Sequence, residues 1–116
     1  MNKNRDKGHN YERKIRTELI ELGFENCQTS RYASREKDDQ KVDLVNTEPF
    51  NIQCKAVEKG INYHDLLSQL PKDGNYNLIL HKRNRRETVT MTKKDFYNIL
   101  KTTKFYKNGI TKRTNK

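Results

Sequence analysis

Polar side chains interrupt two apolar runs of the sequence that are otherwise typical of β-strands. Gln53 and Lys55 lie two residues apart in the run 50–57, so a strand would place both on one face. Asp43 lies in the shorter run 42–45. If the two runs pair as a hairpin, Asp43 can lie beside Gln53 and Lys55. The three side chains would then form one polar cluster on a sheet.

The chemistry open to this cluster is phosphodiester hydrolysis with a divalent cation. Mg²⁺ prefers oxygen ligands and usually takes few protein carboxylates, keeping several waters. Asp43 offers a carboxylate oxygen and Gln53 an amide oxygen, while Lys55 can orient a water or stabilise negative charge on a phosphate. A glutamate from a nearby helix can complete the metal shell. The cluster therefore predicts a magnesium site, in which Mn²⁺ can substitute, and solvated polar positions of two strands are the alternative.

The composition points to an anionic partner. The chain has 116 residues, with 25 Lys and Arg against 15 Asp and Glu, so its formal net charge is +10. A field of this sign attracts polyanions, and nucleic acid is the first candidate. A membrane partner is unsupported, because no apolar run approaches the ~18 residues of a membrane span and residues 1–7 lack an apolar signal segment. We therefore expect a cytoplasmic protein, in the host cytoplasm if the source is a virus.

Alternating hydrophobic periods predict a mixed α/β domain. Helical spacing favours a helix at 8–22 that stops at Gly23, a second at 62–70, and a third capped by Thr92; strands are expected at 24–34, 42–45, 50–57, 76–82 and 87–91. The order is α-β-β-β-α-β-β-α, a mixed central β-sheet flanked by helices, with a charged connection at 35–41. Residues 1–7 are expected to form a flexible basic N-terminus, 8–101 the folded domain, and 102–116 a basic, partly disordered tail.

Short motifs in the first half of the chain recur in a known protein family. They are Gly8-His9-Asn10-Tyr11-Glu12-Arg13, Gly23-Phe24, Ser30-Arg31-Tyr32-Ala33-Ser34, Val42-Asp43-Leu44-Val45 and Ile52-Gln53-Cys54-Lys55-Ala56. In these motifs the chain resembles the PD-(D/E)XK nuclease superfamily, and within it the archaeal-type Holliday junction resolvases. The resemblance covers residues 8–100 in element order, with the motif matches confined to 8–57.

This resemblance implies a restriction-endonuclease-like nuclease domain at 8–101 with Mg²⁺-dependent endodeoxyribonuclease activity. Asp43 would be the first motif acid and a direct metal ligand, Gln53 would take the second acidic position, and Lys55 would be the motif lysine. Glu12 would help to hold the metal, and Ser34 would lie near the catalytic centre. The residues expected close to DNA are Arg31, Arg13 and His9. Such enzymes are homodimers that cut two opposing strands of a four-way DNA junction during recombination and repair, leaving 5′-phosphates.

The chain departs from the resolvase pattern at two places. Gln53 replaces the usual acid, which removes one negative charge from the metal site and keeps open a non-catalytic DNA-binding module. The stretch 35–41 is more charged than the corresponding loop of resolvases. This charge allows a same-fold nicking or repair nuclease that acts on other branched or nicked DNA, and it makes Asp38 or Asp39 a rival metal ligand. A basic RNA-binding protein is a weaker alternative, because it leaves Asp43 and Lys55 unexplained.

The densest basic stretch of the chain lies in a predicted hairpin turn, which we call the basic turn. Its residues are Lys82, Arg83, Arg85 and Arg86. In so basic a protein the turn is expected to contact DNA phosphates, which adds affinity without reading sequence. A solvated surface turn is the alternative.

Several other residue types that can do chemistry are assigned structural roles. His9, His64 and His81 fall in separate predicted elements and are expected at the surface or satisfied by neighbours, although His9 can approach DNA. Cys27 and Cys54 lack metal-binding spacing and are expected to be small buried side chains. Core or interface positions are favoured for Tyr63, Tyr76, Tyr97 and Tyr106. The apolar residues of the helix near 63–70 are a candidate dimer surface.

Overall fold

The computed structural model describes residues 3–103, with side chains from residue 5 onward, and this part of the chain contains five helices and five strands. The helices are α1 (Lys3–Glu21), α2 (Ser30–Ala33), α3 (Arg35–Asp39), α4 (Tyr63–Gln69) and α5 (Lys93–Thr103). The strands are β1 (Gln28–Thr29), β2 (Leu44–Val45), β3 (Phe50–Lys55), β4 (Tyr76–Arg83) and β5 (Arg86–Thr90). The chain is thus an α/β domain, as its hydrophobic periods predicted.

The main sheet is mixed and contains three strands in the order β3-β4-β5. β3 and β4 are parallel, with Lys55 opposite His81, and α4 lies in the connection between them. β4 and β5 form an antiparallel hairpin, while β1 and β2 form a separate two-stranded pair. The hairpin ladder expected between the runs 42–45 and 50–57 does not form. β2 instead reaches β3 through a backbone bond from Asp43 N–H to the Ile52 carbonyl, at 2.8 Å.

Helix α1 covers one face of β3 with an apolar stripe. Tyr11 and Ile15 are buried on Ile52 and its neighbours, and Leu19 extends the stripe by one turn. The predicted start at residue 8 was wrong, since residues 3–7 of the expected loose N-terminus are helical. Lys7 Nζ pairs at 2.7 Å with Oε2 of Glu58, which lies three residues past the end of β3. This ion pair ties the first turns of α1 to the domain; residues 1–2 lie outside the described range.

Helix α4 packs on the opposite face of the sheet. Its Leu66 and Leu67 lie against the buried cluster of Val42, Leu70 and Ile79. The Asn62 side chain accepts a hydrogen bond from Asp65 N–H at 3.1 Å, which confirms the predicted N-cap. The apolar residues proposed as a dimer surface on this helix are therefore used inside the chain.

The segment between α1 and β2 differs most from prediction. Of the strand expected at 24–34, only residues 28–29 form a strand, and residues 30–33 form α2. Ser34 then accepts a hydrogen bond from Lys37 N–H at 3.3 Å as the N-cap of α3. The charged connection expected at 35–41 is mostly this helix, because a capping serine precedes residues with good helix propensity.

The C-terminal elements follow the predicted order. The β4–β5 turn lies at residues 84–85, and Thr92 Oγ1 accepts from Asp95 N–H at 3.1 Å, which confirms the predicted cap of the last helix. Residues 102–103 of the expected tail belong to α5, while residues 104–116, with Tyr106, lie outside the described range. No helix within residues 3–103 is long and apolar enough to cross a membrane.

Candidate active site

Asp43 is fixed against β3 on both sides of Gln53. Its backbone N–H donates to the Ile52 carbonyl at 2.8 Å, and its Oδ2 accepts from the Cys54 N–H at 2.7 Å. The Asp43 carbonyl in turn accepts from Ser30 N–H at 2.8 Å. The structure therefore brings Asp43 beside Gln53, as the sequence suggested, although it does so through single bonds and not through a regular ladder.

Gln53 carries a buried acceptor that nothing in the described chain satisfies. The residue is 5% exposed, and its Oε1 accepts no hydrogen bond from residues 3–103. Leaving a buried acceptor unpaired costs about 1–3 kcal/mol, so such groups are rare and call for a functional or solvent partner. A cation or an ordered water on this face of β3 would supply that partner.

Glu12 comes to the same region from α1. Its side chain is 12% exposed, and Oε1 accepts from the Arg31 Nε–H at 3.2 Å. A glutamate at this position of a helix could also lie exposed and pair with Arg16, four residues on in the same helix. The structure instead shows a largely buried carboxylate that pairs with Arg31 of α2, so a tertiary contact positions Glu12.

The electrostatics of Asp43 link these residues. The pKa of the Asp43 carboxyl is raised from 3.8 to about 7, mainly by burial and to a smaller extent by the negative charges of Glu12 and Asp38. The hydrogen bond from Cys54 N–H and the positive charge of Lys55 act in the opposite direction. Near neutral pH the carboxyl is therefore divided between its protonated and ionised forms. A bound cation would favour the ionised form.

Lys55 ends β3 and is half-buried beside a histidine that the site does not use. Its register partner His81 is buried between the Tyr63 hydroxyl and the Val57 carbonyl, each 2.8 Å from one ring nitrogen. His81 is thus satisfied by its neighbours, as expected. His64 is exposed and His9 is half-buried on α1. Cys27 and Cys54 are both buried, and burial raises the pKa of each thiol, so the expectation of small buried side chains is confirmed.

The serine that lies beside Asp43 is Ser30 and not Ser34. Ser34 was expected near the catalytic centre, but its hydroxyl caps α3, and within residues 3–103 no hydrogen bond joins it to Glu12, Asp43, Gln53 or Lys55. Ser30 is fully buried, donates its backbone N–H to Asp43 and its hydroxyl to Asp38 Oδ1 at 3.4 Å. No sequence signal singled out Ser30, because only the fold of α2 buries it.

The rival acids of α3 are also separated by the fold. Asp38 is half-buried, is contacted by Ser30, and its charge reaches Asp43. Asp39 is exposed, and its only described partner is Arg35 at 4.0 Å. Asp38 is therefore the α3 acid that belongs to the surroundings of Asp43.

The donor set fits a hard divalent cation better than a soft one. Within residues 3–103, no group of three His, Cys, Asp or Glu side chains is arranged to hold a metal ion. Structural zinc sites use such closed sets of Cys and His. Mg²⁺ needs only one or two carboxylates and keeps its waters, so Asp43, the unpaired Gln53 Oε1 and Glu12 fit that ion.

The basic turn lies beyond the C-terminal end of β3. Arg83, Arg85 and Arg86 are exposed, and Asn84 N–H donates to Glu58 Oε1 at 2.9 Å, which holds the turn. Asn84, at the tip of the turn, is three residues past His81, which pairs with Lys55. The tip therefore lies on the order of 10 Å from Lys55 along the strand direction. This is a distance at which one DNA strand can contact both.

The site thus combines two carboxylates, a buried amide oxygen and a lysine, with cationic side chains nearby. Such a set suits a phosphodiester and a hard cation. Comparison of the chain with protein-family models, with curated proteins and with solved structures gives no significant match.

Proposed function

We propose that this protein is a magnesium-dependent endodeoxyribonuclease that hydrolyses phosphodiester bonds and leaves 5′-phosphates. One observation carries the proposal. Asp43 is bonded to the residues on either side of Gln53, and the buried Gln53 Oε1 lacks a partner among residues 3–103. The Asp43 carboxylate, held against β3, and the unsatisfied amide oxygen of Gln53 on that strand form an incomplete oxygen shell of the kind that Mg²⁺ occupies.

Each residue of the site has a distinct task in this proposal. Asp43 and Gln53 would hold the metal directly, and Glu12 would hold it directly or through water. When bound, Mg²⁺ or Mn²⁺ lowers the pKa of a coordinated water and offsets charge on the phosphate. Lys55 presents a point cation that can orient the attacking water or stabilise developing negative charge. Arg31 keeps the Glu12 carboxylate in place through its 3.2 Å bond.

The substrate we propose is a four-way DNA junction, cut in paired fashion by a homodimer with one site per subunit. The motif resemblance to Holliday junction resolvases supports this choice, and the α/β domain with its mixed sheet is compatible with it. The net charge of +10 and the exposed basic turn provide general affinity for DNA. The turn lies close enough to Lys55 to engage the strand that is cut.

The Asp43→Asn protein tests the assignment of the metal site. This substitution keeps the size of the side chain and an oxygen able to accept from Cys54 N–H, but it removes the negative charge. We expect cleavage of a labelled junction in Mg²⁺ to fall at least ~1,000-fold, as for loss of a group acting in the transition state, with junction binding in EDTA unchanged. Cleavage that survives in Asp43→Asn would refute the role of Asp43, and wild-type cleavage in EDTA would refute the metal.

A nuclease of the same fold with a different DNA substrate is the second candidate. It is favoured by α3, whose charged residues 35–39 replace an open loop beside the site. A panel of duplex, nicked, flap, fork and four-way junction DNA, all with the same arm sequences, separates the two. Faster cleavage of linear duplex than of the junction would count against a resolvase.

A non-catalytic DNA-binding module is the third candidate. Gln53 in the acidic position supports it, because two carboxylates hold a divalent cation less tightly than three. Full junction affinity combined with no cleavage of any panel member in Mg²⁺ or Mn²⁺ would favour this module over both nucleases.

A further inference from the structure

Three arginines meet around one cavity next to the candidate site. The cavity has a volume of 440 Å³ and is lined by Arg13, Arg16, Gln28, Thr29, Arg31 and Tyr32. We call it the arginine pocket. Arg13 and Arg16 lie one turn apart on α1, and Arg31 projects from α2. Among residues 5–103 no acidic side chain lines the pocket, so three positive charges and no negative one surround it.

Arg16 is the residue of this pocket whose role is unexplained. Its Nε is buried and has no hydrogen-bond partner, and the Arg16 side chain forms no ion pair within residues 5–103. The other two arginines have partners: Arg13 Nη2 donates to Asn10 Oδ1, and Arg31 Nε donates to Glu12. An unpaired guanidinium donor sealed from water is costly, which indicates a partner that residues 5–103 do not supply.

Tyr32 forms the rim of the pocket. It is 83% exposed and follows Arg31 directly, so its ring faces solvent beside a concentration of positive charge. Exposed aromatic rings next to arginines are the usual platform for unpaired bases, because every base has a π-face and the cations hold the backbone. A buried core role does not account for a tyrosine at this position.

We propose that the arginine pocket binds an internal phosphodiester group of the DNA strand next to the scissile phosphate, with the adjoining base stacked on Tyr32. Guanidinium groups match phosphate geometry and bind it through paired hydrogen bonds. The Arg31 side chain both lines the pocket and contacts Glu12, so a phosphate bound in the pocket would lie next to the candidate site. The relation to the scissile phosphate rests on the proposed function; the phosphate pocket itself does not.

Binding measurements in EDTA test the pocket without any cleavage. The probe is a fluorescent four-way junction whose strands carry single neutral methylphosphonates at successive positions. We expect Arg16→Ala to weaken binding by about tenfold or more, the cost of losing a charge-assisted contact. A methylphosphonate at one position should weaken binding by the wild-type protein and leave binding by Arg16→Ala unaffected. The matched control is Arg35→Ala, which removes one charge from a side chain that is 95% exposed outside the pocket, and it should retain the methylphosphonate effect.

Tyr32 provides an independent measurement. Tyr32→Ala should lose several-fold in affinity for a junction or single strand, whereas Tyr32→Phe, which keeps the ring, should bind as the wild type does. Equal binding by Tyr32→Ala and wild type would refute the stacked base. If Arg16→Ala proves unfolded by circular dichroism, Arg16→Gln replaces it and keeps the stem of the side chain.

The results separate the pocket from the nuclease assignment. The pocket is refuted if Arg16→Ala binds the junction as tightly as Arg35→Ala and retains the methylphosphonate effect at every position. This holds even if the protein cleaves DNA. If Arg16→Ala abolishes the effect of one methylphosphonate on binding, but the protein never cleaves DNA, the pocket is supported and the nuclease assignment is refuted. A 5′-phosphorylated strand compared with its 5′-hydroxyl form provides the last arm. An Arg16 effect seen only with the terminal phosphate would overturn the internal phosphodiester.

Discussion

The ionised form of Asp43 is the one that binds a cation, but ionising this buried carboxyl makes the folded protein less stable. Its pKa is raised from 3.8 to about 7, first by burial and then by the charges of Glu12 and Asp38. The folded protein therefore holds this proton more tightly than the unfolded chain does. The resulting stability is fully present below pH 3.8 and is lost as the pH rises through about 7, where the carboxylate must be ionised in place.

The first prediction compares Asp43→Asn with the wild type across pH, in EDTA. Asparagine never ionises, so the variant should gain stability relative to wild type as pH rises from 5 to 8, by on the order of 2–3 kcal/mol. Urea denaturation at each pH measures the difference, and effects of other titrating groups cancel in it. Saturating Mg²⁺ should stabilise only the wild type. A stability difference that is constant with pH would show that the pKa of Asp43 is not raised in the folded protein.

Gln53 determines how strongly the site can hold a cation. Its Oε1 is buried and unpaired, so it can accept a metal bond but contributes no charge. Gln53→Glu should tighten Mg²⁺ or Mn²⁺ binding by about tenfold, roughly 1.4 kcal/mol, because a carboxylate is a stronger ligand for a hard cation. Isothermal titration calorimetry measures the affinity. The control is Gln40→Glu, since Gln40 also has a buried, unpaired Oε1 but lies outside the motif. Equal gains in both variants would exclude a specific role for Gln53.

Part of the site follows from residue types alone. Gln53 and Lys55 could be assigned to one strand face because alternation in 50–57 is clear, and Asp43 could be placed near them by its own short run. The partners of Asp43 could not be assigned. Ser30 and Asp38 meet Asp43 only because α2 and α3 fold over β2, and the burial that raises the Asp43 pKa is a property of that packing.

At the scale of elements, the end of α1 determines how the chain enters the site. Gly23 has φ +120°, and Phe24 N–H donates back to the Leu19 carbonyl at 2.9 Å, which closes the helix. The next residues then run directly into β1 and α2, which carry Ser30 and Arg31. The conformation at Gly23 is one that a side chain disfavours whatever space surrounds it.

Gly23→Ala should therefore destabilise the domain by about 1–2 kcal/mol, the cost of a Cβ in this backbone region. A Cβ at Gly23 would meet no atom within 4 Å, so backbone conformation alone is tested. Gly60→Ala is the matched control, because that glycine is equally unobstructed and has no positive φ. Thermal unfolding should show a lower midpoint for Gly23→Ala only. Equal midpoints for the two variants would refute the argument from φ.

The elements differ in how well the sequence predicts them, for a physical reason. β3, β4 and α1 bury long periodic faces, so their patterns survive in the sequence. The residues 24–39 form short elements of two to five residues, held by caps and tertiary contacts. Their one clear local signal was Ser34 before a run of helix-forming charged residues, which is typical of a capped helix.

At the scale of the whole molecule, the net charge of +10 makes affinity for DNA depend on salt. Each arginine that neutralises a phosphate releases counterions on binding. The exposed side chains of Arg83, Arg85 and Arg86 project from a turn that Glu58 holds near the C-terminal end of β3. The turn therefore adds electrostatic affinity beside the site without reading base sequence.

Replacement of Arg83, Arg85 and Arg86 by glutamine should reduce the slope of log Kd against log salt by up to about 3, since each lost phosphate contact removes ~0.9. Fluorescence anisotropy between 50 and 200 mM salt, the range over which such contacts change affinity most visibly, measures that slope for junction and duplex DNA. Both DNAs should lose affinity by similar factors, because phosphate contacts carry no sequence information. Glutamine at the exposed Lys72, Lys94 and Lys101 removes the same charge away from the turn and controls for net charge. An equal change of slope in this control would mean that the long-range field of the molecule, and not contact at the turn, carries the affinity for DNA.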